Sequence, residues 1–199
     1  MKIPSSRRHD GFTLVELLVV IAIIAVLAGA GFAAGSSAIQ KAKKTTALAT
    51  VTSLESAVNN FYTEYGSMPI ASDKDDTYET GTSKNGIPVL NTLAGLEIGS
   101  TPLNTRSIKL LSVREGKKKT GGGGTNGIIY NGQGTVVEGL FDPWGGPFKF
   151  TMDGDYDEKI ITAPTGGGGA TLNGRRVAAW SEGADFAGAK KPADDVKNW

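Results

Sequence analysis

Gly11-Phe-Thr-Leu-Val-Glu16-Leu-Leu-Val-Val-Ile-Ala-Ile-Ile-Ala-Val-Leu-Ala-Gly-Ala-Gly31 opens the stretch whose reading decides the fold. From Phe12 to Ala34 only Thr13 and Glu16 are polar in 23 residues. As a helix at about 1.5 Å per residue the run is about 34 Å long, enough for a bilayer core of about 30 Å. Beyond Gly35 the sequence turns polar yet keeps a helical period. Ala47, Val51, Leu54, Val58, Phe61 and Tyr65 fall 4, 3, 4, 3 and 4 residues apart, one face of a helix that packs on the C-terminal domain. A short soluble coiled coil is the other reading of that face. Gly66 is the expected cap and Pro69 prevents continuation.

Charge is distributed unevenly around this helix. Residues 1–11 carry Lys2, Arg7 and Arg8 against Asp10, a sum of +2, while the whole chain is only +1. Positive charge before an apolar run keeps that end cytoplasmic. Lys41, Lys43 and Lys44 come after the run, as solvated or head-group-facing residues. The chain has no cysteine, which excludes disulfides, zinc-thiolate sites and thiol nucleophiles, and its one histidine is His9. Beyond residue 11, therefore, neither Ser-His nor Cys-His catalysis has its parts, and the chain does not read as an enzyme. Bulk charge implies no nucleic-acid partner.

Three readings of the apolar run compete. It is a single-pass anchor, or a signal peptide with Ala28-Gly29-Ala30 as cleavage site, or a signal cut before the apolar run. Glu16 separates them. A carboxylate inside an apolar segment costs roughly 2.5–3.5 kcal/mol on insertion scales and needs a partner. An ordinary anchor offers none. Cleavage after Gly11 would free an ammonium on Phe12, one helical turn from Glu16.

Gly-Phe-Thr-Leu-Val-Glu before an apolar run resembles the N-terminal motif of type IV pilins and type II secretion pseudopilins. The resemblance implies cleavage between Gly11 and Phe12 by prepilin peptidase, N-methylation of Phe12 by the same enzyme, and a role for Glu16 in filament assembly. It departs from many family members in having no proline within the apolar helix; Gly29, Gly31 and Gly35 are the helix-loosening residues instead. The implied organisation is a leader peptide at 1–11, a transmembrane and filament-core half-helix at 12–35, an amphipathic half-helix at 36–66 and a globular periplasmic domain at 67–199. The implied fold is α+β and pilin-like, a long N-terminal helix on a small antiparallel sheet.

Downstream, residues 67–105 read as a connecting loop with a short helix at Asn91–Leu96, and Ile108–Val113 as a helical turn or a strand. The basic residues Arg106, Lys109, Arg114, Lys117, Lys118 and Lys119 read as a solvated loop or as a contact for an anionic partner. The glycine run 121–124 lacks the Gly-Lys-Ser/Thr of a phosphate-binding loop. Ile128–Tyr130 and Thr135–Val137 are expected strands. Phe148, Phe150 and Met152 alternate as a half-buried strand, and Lys159–Thr162 is expected to return as its hairpin partner across Asp153–Asp157. That acidic turn is not an EF-hand, because Glu158 and Pro164 stand where glycine and the bidentate glutamate belong. Arg176–Trp180 reads as the last strand.

Two further segments extend the resemblance toward the major pseudopilins of type II secretion systems. They are Asp142-Pro-Trp-Gly-Gly-Pro-Phe148, and Trp180-Ser-Glu-Gly-Ala-Asp185 with the terminal Asp194-Asp-Val-Lys-Asn-Trp199. In those relatives the C-terminal loop binds calcium, which implies Asp185, Asp194 and Asp195 as ligands here. Lys190 and Lys191 stand where the relatives have glycines and acids. The function implied is a structural filament subunit. Its partners would be copies of itself, other pseudopilins, prepilin peptidase and an inner-membrane secretion platform. Before assembly it would sit in the inner membrane with a single span, N-terminus cytoplasmic. A type IV pilin for adhesion or motility, and a protein secreted by cleavage after Ala30, are the alternatives.

Overall fold

The computed structural model describes residues 11–70, 72–162, 164, 169–188 and 195–199, without the side chains of 30, 33 and 34. Two compact units divide the chain between Lys41 and Ala42. One helix, α1 (Leu14–Tyr65), enters both. Among the described residues no helix is long and apolar enough to cross a membrane.

In the first unit the large apolar residues are open to solvent all round the helix. Seven of the eight residues from Leu14 to Ile21 are aliphatic, and these are 44–79% exposed. In the second unit α1 behaves as its periodicity predicts. Ala47, Val51, Leu54, Val58 and Phe61 are at most 1% exposed, Ala57 joins them, and Tyr65 is half-buried. Gly66 ends the helix with φ of 69°, its N–H on the Tyr62 carbonyl at 2.8 Å.

The second unit continues with β1 (Thr77–Glu79), α2 (Gly86–Ala94), β2 (Lys117–Lys118), β3 (Gly124–Thr125), β4 (Gly127–Tyr130), β5 (Val137–Phe141), β6 (Phe148–Met152), β7 (Lys159–Ile161), β8 (Thr171–Asn173), β9 (Val177–Ser181) and β10 (Val196–Lys197). One four-stranded antiparallel sheet has the order β1-β6-β9-β10, and three ribbons pair β2 with β3, β4 with β5 and β7 with β8. This is the α+β pilin-like architecture expected. Phe148, Phe150, Met152, Val177, Ala179 and Val196 point to the face that α1 covers, in one core with Leu54, Phe61, Leu90 and Leu93.

Several local expectations are corrected. The short helix starts at Gly86 rather than Asn91, because Pro88 suits a first helical turn; Gly95, with φ of 71°, closes it. Ile108–Val113 forms neither helix nor strand, and the Leu110 and Leu111 N–H groups both reach the Leu93 carbonyl at 2.9 Å. β6 and β7 are not a hairpin. Both edges of β6 are taken, by β1 and β9, and β7 pairs with β8. β9 is not the last strand, since β10 pairs outside it. The supposed connecting loop contains β1, an edge strand of the sheet.

Thr80 joins the sheet to the β4-β5 ribbon. Its hydroxyl donates to Leu140 O at 2.6 Å and lies 3.1 Å from Phe148 O, and it accepts the Phe148 N–H at 2.8 Å. Its backbone carbonyl accepts the Leu140 N–H and its own N–H donates to Phe148 O. The residue is completely buried.

Candidate functional site

Two places carry the residues singled out by sequence. The first is the start of α1. Gly11 and Phe12 precede the helix and are exposed, so the peptide bond between them lies in accessible chain outside the helix. Thr13 and Glu16 interlock. Glu16 Oε2 accepts the Thr13 N–H at 2.8 Å and the Thr13 hydroxyl at 2.7 Å, and Thr13 Oγ1 accepts the Glu16 N–H at 3.2 Å. This is a capping box, in which two otherwise unpartnered backbone donors are satisfied reciprocally. The spacing Thr13-x-x-Glu16 carries that signal, and sequence reasoning that assigned Glu16 only to an ammonium overlooked it. Glu16 thus has an intrachain partner before any cleavage frees an N-terminus.

The second place is the turn after β5. Proline and glycine make Asp142-Pro-Trp-Gly-Gly-Pro147 fold back on itself, with Gly145 at φ of 100°. Asp142 is fully buried, and its Oδ1 accepts the N–H groups of Trp144, Gly145 and Gly146 at 2.8–2.9 Å. Its Oδ2 accepts the Ser181 hydroxyl at 2.6 Å, and Ser181 Oγ in turn accepts the Gly183 N–H at 3.1 Å. Burial pushes the Asp142 carboxyl up from the ordinary range, against the pull of these donors. Gly146 allows Phe186 to lie on the turn, since a Cβ there would sit 2.7 Å from Phe186 Cγ. The turn therefore holds the beginning of the C-terminal loop.

That loop contains the calcium candidates. Asp185 is half-buried in a single 3-10 turn, Gly183–Asp185. Asp195 stands just before β10, its carboxylate 4% exposed and 3.6 Å from Lys197 Nζ. Asp194 lies outside the described residues. Hard oxygen donors suit calcium in type, and Asp185 Oδ1 and Asp195 Oδ2 are both buried. Beside the loop, Trp199 packs edge-on against Trp180, centroids 5.8 Å apart.

Carboxylates also converge elsewhere. Ligand atoms of Asp75, Asp153 and Asp155 lie within 4.8 Å of one another. Asp75 accepts the Gly154 N–H at 2.9 Å, and Asp153 accepts the N–H groups of Asp157 and Glu158. Burial first, then the neighbouring negative charges, pushes Asp75 and Asp153 up. The turn itself organises this acidic corner, as its sequence predicts. Of the basic cluster, Arg106 pairs with Glu64 and Lys118 with Glu138, so two of its cations are used within the chain.

Residues 6–32 match the family model for the prokaryotic N-terminal methylation motif, which covers both the Gly11–Phe12 bond and Glu16. The chain is 34% identical over 109 residues to prepilin peptidase-dependent protein D of Escherichia coli (strain K12). That alignment takes in 55% of this chain and 60% of the relative. No solved structure matches the chain. The methylation motif, the relative, and the long helix with its small antiparallel sheets agree in their likeness to type IV pilins and pseudopilins.

Proposed function

We propose that this chain is a structural subunit of a pilus-like filament of a type II protein secretion system, released from its leader by prepilin peptidase between Gly11 and Phe12 and N-methylated on Phe12. The observation that carries the proposal is the first part of α1. An apolar surface exposed on every side of a helix needs either lipid or other apolar helices. A subunit that waits in the inner membrane and then bundles in a filament core satisfies both in turn. The sequence from Phe12 to Ala34 is long enough for one span, which puts the leader in the cytoplasm and residues 67–199 in the periplasm.

Glu16 serves both stages. Its capping box with Thr13 satisfies the carboxylate within the chain while the subunit is alone. In the filament the Phe12 ammonium of a neighbour takes up its charge and sets the axial step between subunits. Extraction from the bilayer then exchanges lipid contacts for helix contacts, and other pseudopilins and the inner-membrane platform are the remaining partners.

The turn after β5, latched to the C-terminal loop, and Trp199 against Trp180 favour a pseudopilin over an adhesive or motile pilin, as does a chain without cysteine to close that loop. Mass spectrometry of the purified subunit's N-terminus tests the processing. Methyl-Phe12 supports the filament reading, whereas Gly31 as first residue means secretion after Ala30 and ends it. Removing the subunit from its host then decides between filament types: loss of cargo secretion supports the secretion machine, and loss of adhesion or motility alone supports the pilin.

A further inference from the structure

A basic hairpin and the acidic corner stand at opposite ends of β6. The hairpin, β2 with β3, rests on the turn that precedes β6. The Asn126 N–H donates to Asp142 O at 2.7 Å, and Gly145 leaves room for the Lys119 side chain, whose Cε would lie 3.3 Å from a Cβ there. The acidic corner is built on the turn that follows β6, where Asp75 Oδ1 accepts the Gly154 N–H at 2.9 Å. β6 has five residues, so about 17 Å of extended strand separates the two.

The two places carry opposite charge. From Arg114 to Thr125 the chain has four cations against the single acid Glu115. Lys118 is paired with Glu138, while Lys117 and Lys119 are exposed beside it. At the corner, residues 73–76 and 153–159 hold seven acids against Lys74 and Lys159. Exposed charges are screened beyond about 8 Å at physiological salt, so the two patches do not neutralise each other within one chain. Burial, and then the neighbouring negative charges, pushes the Asp75 and Asp153 carboxyls up, so the corner gains from a cation brought against it. Unlike patches at opposite ends of one subunit are complementary between copies. The contact they make is head to tail, the kind that repeats into a ring or an open helical line.

We propose that the β2–β3 hairpin, through Lys117 and Lys119, docks on the acidic corner of a second copy of this chain, at Asp155 and Asp157. This contact deepens the filament reading and rests on it for what brings copies side by side. Exposed charges of this kind set register and rate of encounter more than affinity. The apolar helices supply the affinity.

The test mixes isotope-labelled and unlabelled full chain in detergent, joins amines to carboxylates with a zero-length carbodiimide, and reads the linked peptides by mass spectrometry. Mixed links from Lys117 or Lys119 to Asp155 or Asp157 are expected, and should fall at least about fivefold between about 0.05 M and about 1 M sodium chloride. The Lys117→Glu/Lys119→Glu chain and the Asp155→Lys chain should each lose these links alone. Mixed with each other they should regain them, with amine and carboxylate exchanged. Links found only within single chains overturn the proposal, as do mixed links indifferent to salt. Links from the hairpin to another surface of the neighbour also overturn it. If Asp155→Lys does not fold, the salt response of the parent's mixed links decides. Methyl-Phe12 on a chain without mixed links leaves the filament reading standing and ends this one. Mixed links on a chain that begins at Gly31 keep the contact and end the filament reading.

Discussion

The Ser181 hydroxyl donates to Asp142 Oδ2 at 2.6 Å, and this one bond ties the turn after β5 to the first residues of the C-terminal loop. Asp142 accepts four donors in all, three of them backbone N–H groups of its own turn. Asp142→Ala strands those donors in the interior and is expected to cost about 3 kcal/mol, measured by chemical denaturation. Ser181→Ala is expected to cost about 1–2 kcal/mol. The double variant should cost less than the sum, because both residues act in one network. Additive losses would show that the turn and the loop are held independently.

Glu16 combines a cap and a charge, and the two can be separated. Glu16→Gln keeps a side-chain carbonyl for the Thr13 N–H and removes the negative charge. Glu16→Ala removes both. Hydrogen exchange at the first turn of α1 should stay slow in Glu16→Gln and quicken in Glu16→Ala, while filament yield should fall in both. Normal filaments from Glu16→Gln would mean that the cap, and not the charge, is what assembly needs.

The acidic corner sets a pH response. The Asp75 and Asp153 carboxyls titrate above their ordinary values in the folded chain, chiefly through burial. The folded state therefore binds protons more readily there than the unfolded state does. The ionised corner lowers stability at pH 7, and that penalty fades as the pH falls through the raised folded values toward the unfolded value of about 3.9. Asp75→Asn retains an acceptor for the Gly154 N–H and loses the charge. Its melting temperature should exceed the parent's by about 1–3 °C at pH 7, and the advantage should vanish near pH 4. An advantage unchanged between those pH values would remove electrostatics as its cause.

Gly146 is required by contact rather than by conformation. A methyl group there would lie 2.7 Å from Phe186 Cγ and 2.9 Å from Asp142 Oδ2. Gly146→Ala is expected to cost about 1–3 kcal/mol. Adding Phe186→Ala should recover part of the loss by clearing the aromatic ring, a result checked by comparing denaturation midpoints of the single and double variants.

Periodicity carried the parts of this fold that depend on one face of one element. The face of α1 from Ala47 to Phe61 and the alternation of Phe148, Phe150 and Met152 could be read because burial repeats at 3.6 and 2 residues. Strand pairing does not repeat locally. Nothing near Met152 says that its partner is Val177 rather than Lys159, so the expected hairpin failed while both strands were real. At the N-terminus the Gly11, Phe12 and Glu16 pattern was legible. Thr13-x-x-Glu16 is equally legible as a capping box, a signal independent of the cost of a charge in lipid. The placing of the basic hairpin and the acidic corner at opposite ends of β6 was beyond sequence reasoning, since only the fold brings Asp75 to Gly154.

Thr80 has a mechanical consequence. Side chain and backbone of this one buried residue bond to both β5 and β6, so sideways displacement of the ribbon against the sheet must break several short hydrogen bonds at once. Bonds loaded in parallel resist such shear far better than bonds that open one after another. In the filament proposed above, a subunit pushed along the axis would pass force from the ribbon to the sheet through a single threonine, as a rivet joins two plates.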